Sequence, residues 1–106
     1  MDLNEFKKSL EKEAPPSGLG LALEALWYAG KGDWDTAHER AQEQEDKDGS
    51  WVHAHLHRQE GDADNAAYWY RRAGRPVATV PLSEEWLSIV EALLASGDTS
   101  PKRKRG

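Results

Sequence analysis

Cysteine is absent from this 106-residue chain. That excludes disulfides and thiolate metal sites and favours a reducing compartment. Long apolar runs are absent too. Nothing approaches the roughly 18 consecutive apolar residues of a membrane-spanning helix, so no membrane partner is expected. The opening residues, Met1-Asp2-Leu3-Asn4-Glu5-Phe6, have neither the basic start nor the apolar stretch of a secretory leader. A cytoplasmic protein is the expectation. Methionine and phenylalanine occur once each, and hydrophobic residues make up only 38% of the chain against 31% charged. That leaves little material for a core. Five tryptophans, Trp27, Trp34, Trp51, Trp69 and Trp86, offset the shortage, since each can bury roughly 200 Å².

The charge is uneven. Residues 1–50 carry 6 Lys/Arg against 12 Asp/Glu, and residues 51–100 carry 4 against 7. The body is therefore about −9, which argues against a phosphate-binding surface on it. The last residues reverse the sign with Lys102, Arg103, Lys104 and Arg105. Residues 98–106 read as a disordered basic tail, the one segment with the charge to meet nucleic acid.

Apolar spacing divides residues 1–97 into six amphipathic stretches of one all-α domain. Leu3, Phe6 and Leu10 predict a helix over 3–13, stopped by Pro15-Pro16. Ser17 is the expected N-cap of an apolar central helix ending at Gly30. Asp33 caps a helix running to about residue 45, with Trp34, Ala37 and Ala41 inward. Asp46-Lys47-Asp48-Gly49 reads as a loop, and Ser50 as the cap of a helix over 51–60. Asp62 caps the next, 63–73, closed by Gly74. After an extended connection, 75–82, Ser83 is expected to cap the last helix. Leu82 and Leu87 sit at staple positions, and Glu84 and Glu85 favour the positive helix end. Trp86, Ile89, Val90, Leu93 and Leu94 form its apolar stripe.

One self-similarity stands out. Gly32-Asp33-Trp34-Asp35-Thr36-Ala37 aligns with Gly61-Asp62-Ala63-Asp64-Asn65-Ala66, 29 residues later. Glycine makes the turn, aspartate caps the following helix, and alanine permits close helix approach. With Ala54, Tyr70 and Ala73 at small, aromatic and small positions, residues 18–76 resemble two tetratricopeptide-type repeats, and look like short uncharacterised bacterial proteins with such hairpins. The resemblance implies two antiparallel helical hairpins with an N-terminal and a C-terminal capping helix. It also implies a groove formed by the first helix of each pair, with Trp51, His55 and Arg58 lining it.

Chemistry concentrates in Trp51-Val52-His53-Ala54-His55-Leu56-His57-Arg58. His53 and His57, four apart, share a helix face at the spacing two imidazoles need for one metal. Glu60, one turn beyond His57, offers an oxygen, but no glutamate lies between the two histidines and a third ligand would have to come from elsewhere, so neither a metal nor a cofactor is expected. His38 reads as a lone surface residue. The turn brings Asn65, Tyr68 and Arg72 near His57, and this His/Asn/Tyr/Arg cluster suits an anion or a peptide carboxylate. No nucleophile or carboxylate pair marks an enzyme. The expected function is thus a helical-repeat binding module for a protein or peptide, using Trp51, His53, His55, His57, Arg58, Asn65, Tyr68 and Arg72. The alternatives are a small-ligand or catalytic protein using the polar cluster, and a subunit that pairs with itself as a homodimer.

Overall fold

The computed structural model describes residues 1–97, so the expected basic tail lies outside the described residues. It is all-helical: α1 (Leu3–Ser9), α2 (Leu21–Gly30), α3 (Trp34–Glu43), α4 (Lys47–Gln59), α5 (Ala63–Ala73) and α6 (Leu82–Ser96), with no strand among the described residues. α2 packs on α3, α4 on α5, and α3 on α4, while α6 lies against α4, α2 and α1. One buried cluster draws on all six helices, through Phe6, Leu26, Ala37, Val52, Tyr70 and Ile89 among others. Completely buried side chains such as Leu26 and Ile89 contribute about 1.5–3 kcal/mol each. That lets a chain poor in apolar residues hold a core.

The two Gly-Asp corners share one local geometry. Gly32 and Gly61 have φ of 83° and 88°, a region open to glycine at no steric cost. The Asp33 and Asp62 N–H groups donate to the Tyr28 and His57 carbonyls, both at 2.9 Å. Each Asp side chain then accepts the N–H three residues on, from Thr36 or Asn65, at 3.2 Å.

Four helix starts or stops differ from expectation. α1 ends at Ser9 because the Lys31 ammonium donates to the carbonyls of Leu10 (2.7 Å) and Lys12 (2.8 Å). α2 begins at Leu21 with no contribution from Ser17. Its free N–H at Ala22 donates to the Gln44 side chain from the end of α3, at 2.8 Å. α4 starts four residues before Trp51: Asp46 is the cap, accepting from the Gly49 N–H at 2.9 Å, and Ser50 is a buried helical residue. Gly49 is needed there, because a Cβ would stand 1.8 Å from the Gln44 carbonyl oxygen. α6 begins at Leu82 after Pro81, not after Ser83. Leu82 is exposed, and with that start Leu82 and Leu87 no longer occupy the two staple positions.

Candidate functional site

α4 decides the geometry of the polar residues. Its histidines at 53 and 57 are four apart and share a face, while His55 points away from them. All three are buried, at 4%, 6% and 2% exposure for His53, His57 and His55. They enter two separate clusters.

The first cluster lies where α4 meets α3. On α3, Trp34 and His38 are also four apart, and their rings stack at 4.9 Å. His38 then faces both α4 histidines, with ring centroids 4.5 Å from His53 and 5.3 Å from His57. The His38 and His53 Nε2 atoms are 2.8 Å apart, so one of them carries a proton that the other accepts. The Glu60 carboxylate accepts the Nδ1 proton of His57 at 2.7 Å. Trp69 of α5 stacks on His53 at 3.8 Å, and the Arg72 guanidinium lies 5.2 Å from the Trp69 ring. Arg72 also donates to the Tyr68 hydroxyl at 3.1 Å. Trp34 is anchored by its indole N–H, which donates to the Leu56 carbonyl at 2.8 Å.

Burial holds His53 far below the usual imidazole range, at about 3, with His38, His57 and Arg72 adding to the effect. His38 is lowered chiefly by burial and by His57. His53 is therefore a neutral imidazole at physiological pH. A cavity of about 300 Å³, bordered by Ser50, His53, Trp69 and Arg72, opens beside it.

The second cluster surrounds Glu85, which sequence reasoning assigned to the helix dipole. Its side chain turns inward and is 4% exposed. Oε1 accepts from His55 Nδ1 (2.7 Å) and Arg58 (2.9 Å), and Oε2 accepts from the Tyr70 hydroxyl. Arg58 also donates to the Val80 carbonyl. Burial alone would raise the Glu85 carboxyl. The hydrogen bonds from His55 and Tyr70, the electrostatic pull of His55 and the bond from Arg58 outweigh it and hold the carboxyl below its usual range. Burial and the neighbouring carboxylate push the Tyr70 hydroxyl up. This is a tie between α4, α5 and α6, with every charge partnered.

The third feature is a cleft of about 280 Å³ between Trp51, the 75–80 connection and α6. Arg75 lies over the Trp51 ring, 3.4 Å from its centroid.

The eight sequence-predicted residues thus divide. His53, His57, Tyr68 and Arg72 meet around the first cluster, His55 and Arg58 belong to the Glu85 tie, and Trp51 borders the cleft. Asn65 enters through its backbone N–H at the α5 cap. The expectation that His55 lines a groove gives way to a buried position facing α6. His38, read as a surface residue, is half-buried and central. Its only sequence signal is the Trp34/His38 pair, which repeats on α3 the i, i+4 spacing of His53 and His57. Compared with known proteins, the chain matches no family model, no curated protein and no solved structure.

Proposed function

We propose that this chain is a small helical-repeat binding module for a peptide segment of a partner protein. In this reading α2–α3 and α4–α5 are two tetratricopeptide-like antiparallel hairpins, capped by α1 and α6. The matched Gly-Asp corners support it, as does the packing of each pair. A cytoplasmic setting accords with the cysteine-free composition.

The observation that carries the proposal is the surface of the 75–82 connection. Of the five large hydrophobic side chains exposed among the described residues, Val77, Val80 and Leu82 lie within six residues of one another. Val77 and Val80 line the cleft that Trp51 and Tyr70 also border. Arg75 at its mouth has no ion-pair partner among the described residues. Glu85 is saturated by its three donors and presents no charge to a ligand. The occupant that fits is an extended segment with one bulky apolar side chain for the cleft and a carboxylate beside it for Arg75. Arginine pairs with carboxylates through two parallel hydrogen bonds.

Peptides selected on the immobilised protein test this. They should share a carboxylate within two residues of a bulky apolar side chain. By calorimetry they should bind Arg75→Gln and Val80→Asp at least about tenfold more weakly, a loss of about 1.4 kcal/mol. Selection without a common motif, or affinity unchanged in both folded variants, would remove the reading.

A further inference from the structure

We propose that His38, His53 and His57 form a binding site for a zinc-class divalent transition-metal ion. One ring nitrogen from each of the three lies within 4.8 Å of the other two. A tetrahedral ion with Zn–N bonds of 2.0–2.1 Å needs its nitrogens about 3.3 Å apart. The His38–His53 separation of 2.8 Å therefore opens by about half an ångström while His57 closes in.

Three features beyond proximity point to an ion. Glu60 holds His57 by its Nδ1 proton at 2.7 Å, the outer-shell carboxylate arrangement that fixes a ligating ring and strengthens its basicity. Trp34 stacks on His38 at 4.9 Å and Trp69 on His53 at 3.8 Å. Two rings are thus locked from outside, which lowers the ordering cost of ligation. A cavity opens on His53, one of the three ligands.

Charge also favours a cation. Asp35, Glu39 and Glu60 act on His38, and Arg72 is the opposing cation beside His53. Three nitrogen donors and no thiolate select zinc, nickel, copper or cobalt over magnesium and calcium, which prefer oxygen. Three protein ligands leave the fourth position of a tetrahedral ion to water or to an added ligand.

The test uses the full, tag-free chain with Zn²⁺ alone in calorimetry, and with Co²⁺ as a visible probe. One Zn²⁺ per chain should bind, and Co²⁺ should give the absorption of a four-coordinate nitrogen site that Zn²⁺ then bleaches. His38→Ala should weaken Zn²⁺ by more than about 100-fold, beyond what an outer-shell loss costs. Glu60→Gln should weaken it by about 10–100-fold. Circular dichroism without metal checks that both variants fold. If His38→Ala does not, His38→Phe keeps the stack on Trp34 and removes the nitrogens. A folded wild-type chain without saturable Zn²⁺ binding overturns the proposal. So does binding that survives loss of His38 but not of Glu60 and Asp62, the other grouping around His57.

Discussion

His53 and His57 leave α4 on one side and His55 on the other, and the two sides have opposite chemistry. Toward α6, His55 joins an arginine and a tyrosine around one carboxylate, and both Glu85 oxygens are partnered. On the other side, His53 and His57 meet His38 and Trp34 of α3, and Trp69 of α5 stacks on His53. There burial holds His53 and His38 below the usual imidazole range. The first face is arranged to hold helices together. The second gathers three imidazoles, with one hydrogen bond between His38 and His53 among their ring contacts.

Breaking the saturated side should have the largest effect. Glu85→Ala leaves Arg58, His55 and Tyr70 without their shared acceptor, and should cost about 3–5 kcal/mol in urea unfolding. A loss below about 1 kcal/mol would mean the tie is idle. Tyr70→Phe removes one hydrogen bond to the same carboxylate, and about 1.5–3 kcal/mol is expected by the same measurement.

Acid should separate the two faces by pH. An unfolded histidine takes its proton near 6.5, whereas His53 holds out until about 3. Between those values the unfolded chain binds more protons, so stability falls as pH drops. The depressed Glu85 carboxyl adds a loss that begins only below its ordinary value of 4.5. It proceeds as His55, Arg58 and Tyr70 lose their carboxylate partner. His53→Gln should flatten stability between about pH 6.5 and 4.5, and Glu85→Gln should flatten the limb below, followed by urea midpoints across pH. One variant that flattened both limbs would show the faces to be coupled. The smallest effect belongs to His38→Ala. His38 is only half-buried and carries no ion pair, so stability without metal should change by no more than about 1 kcal/mol. A fall of several kcal/mol in thermal or urea unfolding would assign His38 to the structural side.

The sequence made the corners legible because their causes are local. A glycine with positive φ and an aspartate accepting from a backbone N–H three residues on need only neighbours in the chain. Helix spacing likewise placed His53 with His57 and His55 opposite them. Local rules misplaced the start of α4, because Asp46-Lys47-Asp48-Gly49 has loop composition. Its helical turn depends on the Gln44 carbonyl approaching Gly49 and on Gln44 donating to Asp46. Glu85 was misread for a similar reason. A glutamate in a first turn suits the helix dipole, and only the docking of α6 on α4 supplies the partners that draw it inside.

The chain by itself thus determined that helices form, where two of them turn, and which histidines share a face. These depend on backbone preferences and on a period of 3.6 residues. Tertiary structure decided what each face meets. His38 stands 15 residues before His53 and Glu85 stands 30 after His55. Separations of that length carry no periodic signal, and the pairing follows only from how whole helices bury their apolar sides.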